Sequence, residues 1–141
     1  MIANFEQVKD LIPQKAPFVM VNELIAYTEE NLQARFTIHA DNIFVYKNHF
    51  QESGIIEHMA QSVALHTGYQ FYLIKKPAPT GYLGSIKNIV ISRLPKLDEV
   101  LYTKVSILQE FMGITLVEIE VKINDEIIAK GQMKTVLAKE K

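Results

Sequence analysis

The stretch Ser53 to Leu73, SGIIEHMAQSVALHTGYQFYL, constrains this chain most. It is long enough for several helical turns, and it is nearly apolar all round. Ile55, Ile56, Met59, Ala60, Val63, Ala64, Leu65, Gly68, Tyr69, Phe71 and Tyr72 leave no wide polar face. A helix of that kind is normally buried, not laid on a surface. It is also the only convincing long helix, because most of the chain beyond it reads as strand. One buried helix wrapped by a large antiparallel sheet is the simplest architecture.

Glu57 lies near the start of this helix. Ser53 reads as the N-cap, and Gly54 permits a close approach of the chain. Glu57 and Gln61 are four residues apart and share a face. A carboxylate on a buried helix is costly unless it is paired, hydrated or protonated. Two readings stand. Glu57 is an acidic residue of the first turns, favoured by the macrodipole and reaching solvent. Or it is a catalytic acid whose pKa is raised.

The flanking segments have clear periods. Phe5, Val8, Leu11 and Ile12 read as a short helix over 4–12, stopped by Pro13. Residues 18–27 read as a strand, 28–31 as a turn, and 32–39 as a second strand with Leu32, Ala34, Phe36 and Ile38 on one side. Residues 41–52 read as a loop with three aromatics, Phe44, Tyr46 and Phe50, which need something to pack on. After the helix, the break at 75–81 precedes four strands over 82–92, 100–109, 114–123 and 126–138, and residues 139–141 read as a solvated tail. The strand over 114–123 alternates strictly, with Val117, Ile119, Val121 and Ile123 on one face. Such a sheet has edges that need covering, and a second copy is one way to do it.

With 141 residues, the chain reads as a single domain over 1–141 of class α+β, with a six-stranded antiparallel sheet around one long helix. A net charge of −1 gives no reason to expect nucleic acid or an anionic membrane. The absence of cysteine excludes disulfides, thiol nucleophiles and thiolate metal sites. No segment has the pattern of a secretory leader or an uninterrupted membrane span, so a cytoplasmic protein is the default expectation.

Four stretches in order carry a resemblance. Residues 11–23, LIPQKAPFVMVNE, look like a family opening written L-L-P-H-R-x-P-F-L-L-V-D-R. Glu57-His58-Met59-Ala60-Gln61 looks like E-x-x-A-Q. Tyr82 to Asn88 is similar to the strand after the helix, and Arg93 to Asp98 to a turn written V-x-P-G-D. The chain thus resembles the beta-hydroxyacyl-acyl-carrier-protein dehydratases, which have the hot-dog fold. That resemblance implies a dimer and no cofactor or metal. It also implies a substrate held as an acyl chain on the 4'-phosphopantetheine arm of an acyl carrier protein. Dehydration removes the alpha proton and protonates the leaving beta hydroxyl, with a histidine and a carboxylate from different subunits. Glu57 matches the carboxylate, which must stay protonated to donate. Gly54 at the helix start matches the site of backbone N–H groups that polarise the thioester carbonyl. Asn42, Phe44 and Gln61 are the further substrate-binding candidates.

The family's H-F-P-G-x-P-x-M-P-G-x-x-x-x-E is absent. His49-Phe50 supplies a His-Phe pair, but only eight positions before Glu57. Nearly preserved spacing puts the histidine's place near Asn42, fifteen positions before Glu57 against fourteen in the motif, with Asn42-Ile43-Phe44 in place of the histidine and phenylalanine. If His49 occupies the site, an acid–base pair survives. If Asn42 does, no side chain there takes a proton. The shortened loop is similar to the dehydratase-like proteins of aryl-polyene and flexirubin pigment synthesis.

The remaining polar residues have plainer readings. His39 ends a strand near the surface. Asp98 is a turn residue, and Asn88 a strand residue facing solvent or the tunnel. His58, Ser62 and His66 form a polar stripe read as a helix–helix or dimer contact, and a poor metal site. Lys75, Lys76, Lys87, Arg93 and Lys96 are either a solvated face or a basic rim for an acidic carrier protein. Three functions remain open: a dehydratase, a hot-dog thioesterase in which Glu57 attacks or activates water and Gln61 orients it, and an inactive dehydratase-like subunit that pairs with an active paralogue.

Overall fold

The structure, a computed structural model, describes residues 1–138. The expected tail at 139–141 lies outside the described residues.

The long helix, α2, spans Glu52–Leu73. It lies against a six-stranded antiparallel sheet in the order β1-β2-β6-β7-β8-β5. These strands are β1 (Glu23–Tyr27), β2 (Asn31–Thr37), β5 (Gly81–Ile91), β6 (Val100–Phe111), β7 (Ile114–Ile123) and β8 (Glu126–Leu137). The strict alternation of β7 holds: Val117, Ile119, Val121 and Ile123 are buried. They join Leu24, Leu32, Phe36, Leu101, Val105 and Met133 in one core that covers Ile55, Met59, Val63 and Leu65 of α2. Among the described residues, no helix is long and apolar enough to cross a membrane.

Two elements differ from the sequence reading. The expected loop at 41–52 contains a small hairpin, β3 (Val45–Tyr46) paired with β4 (His49–Phe50). Lys47 and Asn48 form its tip with φ of 49° and 64°. That is the geometry of a tight two-residue hairpin turn, made without the glycine that normally announces one. The expected strand at 18–27 begins only at Glu23. Residues 18–20 instead use their backbone groups on α2 side chains, Phe18 and Met20 with Gln61 and Met20 with His58.

The first helix is one turn, Phe5–Val8, closed by a reciprocal capping box between Asn4 and Gln7. The chain from its end then crosses α2 at Gly68. An added Cβ there would overlap the Leu11 carbonyl oxygen, so only glycine admits that crossing.

The two sheet edges are unlike. At β1, Ile2 and Ala3 bond to Leu24 and cover the edge. At the other end β5 pairs with β8 alone. Its Tyr82, Leu83, Ile86 and Val90 are all exposed. A long apolar edge strand left open in one chain is a template for pairing.

Candidate active site

Helix α2 starts one residue after β4, two residues before the expected start. Gln51 is its N-cap, without a side-chain cap bond, because the Gln51 amide donates instead to Tyr46 O and His49 O of the hairpin. Ser53 therefore lies inside the first turn. Gly54 is buried, and an added Cβ would meet the Phe50 ring at 2.5 Å and Phe44 Cβ at 2.7 Å. Its N–H already donates to Gln51 O at 3.0 Å. The glycine thus serves packing of the β3–β4 hairpin on the helix, and its amide is not free to polarise a carbonyl. Phe44 is half-buried and packs against the core in the same contact.

Glu57 is half-buried one turn further along. Gln61 Nε2 donates to Glu57 Oε1 at 2.8 Å. Among the described residues Glu57 Oε2 has no hydrogen-bond partner. Gln61 itself is fully buried, and its amide is entirely engaged. Nε2 also donates to Phe18 O at 2.7 Å, and Oε1 accepts from Met20 N at 2.6 Å. The sequence reading makes Gln61 a substrate-binding residue. In the folded chain its amide bonds to Glu57, to Phe18 O and to Met20 N.

The polar stripe on α2, expected at a helix–helix or dimer contact, faces the interior of the single chain. His58 is fully buried and Ser62 bonds back to His58 O. His58 Nδ1 lies 2.6 Å from Met20 O, its Nε2 lies 2.6 Å from Thr103 Oγ1, and its ring stacks on Phe36. Burial pushes its pKa down to about 4, so the imidazole is neutral at pH 7. His66 Nε2 lies 3.0 Å from Thr28 O beside Tyr27, and burial lowers its pKa as well. A carbonyl only accepts, so His66 Nε2 carries the hydrogen there. The two histidines sit inward because the sheet, the β1–β2 turn and the 18–20 segment offer them partners, while Ser62 bonds within its own helix. The apolar Ile56, Ala60 and Ala64 stay half-open instead.

Asn42 and His49 have separate places. Asn42 Oδ1 accepts from Phe44 N at 2.8 Å, a local turn, and its Nδ2 points at Met20 Sδ at 3.2 Å. Asn42 therefore shares Met20 with Gln61 and His58. His49, half-buried in β4, bonds through Nδ1 to Lys47 O at 2.9 Å. The acceptor is again a carbonyl, so Nδ1 carries the hydrogen and Nε2 keeps its lone pair. His49 lines an open cleft with Tyr46, Lys47, Arg93 and Lys96, and Glu57 is not among its walls.

The basic residues read as a solvated face or a basic rim are divided. Arg93 pairs with Glu99 and Glu126, Lys96 lies on the His49 cleft, Lys87 is on β5, and Lys75 and Lys76 follow the far end of α2. Asp98 is a turn residue with φ of 68°, as expected. Asn88, with φ of 56°, sits at a bulge in β5 and lines an outer cleft. Among the described residues no cluster of His, Asp or Glu is disposed to hold a metal.

The sequence profile of the ApeP-like dehydratases matches residues 6–141. The chain belongs to the ApeP-like dehydratase family. Among solved structures it is similar to the dehydratase heterocomplex ApeI:P from Xenorhabdus doucetiae, with a TM-score of 0.87 and 19% identity over 94% of this chain and 91% of that one. It is also similar to an uncharacterized protein, PH1136, from Pyrococcus horikoshii, with a TM-score of 0.71 and 14% identity over 93% of each chain. The E. coli PaaI protein from the phenylacetic acid degradation operon matches with a TM-score of 0.66 and 11% identity over 81% of each chain. No curated protein matches by sequence. The fold is the hot-dog fold, and the protein is a dehydratase-like member of it.

Proposed function

We propose that this ApeP-like protein is a subunit of a dimeric dehydratase acting on 3-hydroxyacyl thioesters carried by an acyl carrier protein. In this reading Glu57 Oε2 donates a proton to the beta hydroxyl, which leaves as water. A histidine takes the alpha proton, and the electron pair of the broken C–H bond forms the alkene of the enoyl thioester. His49 is the candidate base, because its Lys47 bond leaves Nε2 free to accept. The cleft of His49 excludes Glu57 of the same chain, so the pair is completed between two subunits. The open β5 edge is the surface on which a second chain would pair. The acyl chain would lie along the half-open face of α2, past Ala60 and Ala64.

The observation that supports this most is the Glu57 carboxyl, anchored at Oε1 by Gln61 with Oε2 open. The test is incubation with a 3-hydroxyacyl carrier-protein thioester and mass analysis of the product. An enoyl thioester, lost in Glu57→Gln and His49→Ala but kept in Asn42→Ala, supports the assignment. Free acid as product would sink it in favour of a thioesterase.

A second reading has its own support. The Xenorhabdus neighbour is a heterocomplex, and Asn42, near the family's histidine spacing, is a turn-former whose amide is not a useful base. A protein inert as a homodimer and active only with a paralogous subunit would favour that reading. Loss of the mixed activity in Glu57→Gln would then tell a catalytic half from a passive one.

A further inference from the structure

His58 is the buried titratable group that the proposed chemistry leaves unused, and its hydrogen bonds lead to Glu57. The Met20 carbonyl, 2.6 Å from His58 Nδ1, only accepts, so Nδ1 carries the hydrogen. Nε2 then holds the lone pair and accepts from the Thr103 hydroxyl, 2.6 Å away on the inner face of β6. The N–H of the same Met20 donates to Gln61 Oε1. Gln61 Nε2 in turn donates to Phe18 O and to Glu57 Oε1.

Two backbone groups decide which way the Gln61 amide points. Met20 N–H can only give, and Phe18 C=O can only take. A flipped amide would set two donors together at the buried Met20 N–H and bring acceptors together at Phe18 O and Glu57 Oε1. Gln61 therefore always offers an N–H to Glu57 Oε1. A proton on Oε1 would meet that N–H head-on, so a protonated Glu57 bears its proton on Oε2.

We propose that Thr103, His58, Met20 and Gln61 form one hydrogen-bonded clamp that orients Glu57 and makes Oε2 the oxygen with the transferable proton. His58 touches no reacting atom and is a positioning residue. The inference rests on the dehydratase reading of Glu57 for its functional part, and on the geometry alone for the clamp. The His58 bond and the Gln61 bond meet at Met20 on two successive peptide units, so they act together by fixing the position of Met20, while the single amide of Gln61 is polarised from Met20 N–H towards Glu57.

The test has a spectroscopic and a kinetic arm. Long-range proton–nitrogen correlation on labelled protein at neutral pH should find His58 as the Nδ1–H tautomer, and the Nε2–H tautomer would overturn the clamp. Thr103→Val removes the hydroxyl at nearly constant volume. It should lower kcat roughly tenfold with KM within about twofold, the split expected when only positioning in the transition state is lost. Thr103→Ser should restore kcat. His58→Asn, whose amide can still donate to Met20 O, should stay nearer wild type than His58→Leu. Folded Thr103→Val and His58→Leu proteins with wild-type kcat would overturn the proposal. If the wild type forms no enoyl product, alone or with a paralogue, the dehydratase reading fails. The tautomer still decides the clamp in that case, together with whether His58→Leu speeds exchange of the Gln61 side-chain amide.

Discussion

Gln61 Nε2 and Glu57 Oε1 face each other across 2.8 Å, one helical turn apart on α2. The donor is buried and its amide also bonds to Phe18 O and Met20 N, while the acceptor reaches the half-open face of the helix. Glu57→Gln keeps this contact, because the new amide oxygen can take the place of Oε1. The variant should match the wild type in thermal unfolding and lose enoyl formation by about 100-fold or more, the scale of a missing general acid. A variant that dehydrates normally removes Glu57 from the mechanism.

The protein should lose stability on mild acidification through His58. Its folded pKa is depressed to about 4 by burial, from an ordinary value of 6.5. Between those values the unfolded chain binds a proton that the native one refuses, so stability falls as pH drops from 6.5 towards 4. The full effect is on the order of 3 kcal/mol. His66 shifts in the same direction and adds to it. Glu23 and Glu99 are lowered by hydrogen bonds to Arg35 and Arg93, so their contributions disappear only below the ordinary carboxylate value of 4.5. Urea unfolding from about pH 7.5 to about pH 4.5 measures the first window. His58→Asn should flatten it, and an unchanged slope contradicts the assignment.

Gly68→Ala should destabilise, although alanine in a helix interior ordinarily improves on glycine by roughly 0.5–1 kcal/mol. The added Cβ overlaps the Leu11 carbonyl oxygen, a backbone atom that cannot turn aside. A cost of about 2 kcal/mol or more is expected. Gly131→Ala meets the movable tip of Ile89 and should cost less. Equal midpoints in denaturant for Gly68→Ala and the wild type would show that the crossing is looser than described.

A charge on the open edge should keep partners away. Val90 on β5 is 65% exposed, so Val90→Lys should leave the single chain folded. Light scattering should then report a smaller species than the wild type. A variant that still assembles to the wild-type mass places the interface elsewhere.

Much of this protein was legible in one dimension. The near-continuous apolar run of α2 and the strict two-residue period of β7 admit only a buried helix and a half-buried strand. These periods are local, and burial of one face is enough to enforce them. The β3–β4 hairpin was not legible, because Lys47-Asn48 lacks the glycine that marks such a turn. Residues 18–22 read as strand because their apolar side chains suit one. The Phe18 carbonyl and both backbone groups of Met20 bond instead to side chains some forty positions away, at His58 and Gln61.

Sequence alone thus determined the architecture, the family likeness and Glu57 as the residue to question, since all three come from local pattern and order along the chain. Only the folded chain decided that Gln61 bonds to Glu57, that Gly54 packs against Phe44 and Phe50, and that the histidines of α2 point inward. The physical reason is that a polar side chain goes where a partner waits. The partners here, Met20, Thr103 and Thr28, come beside the helix only once the sheet has closed around it.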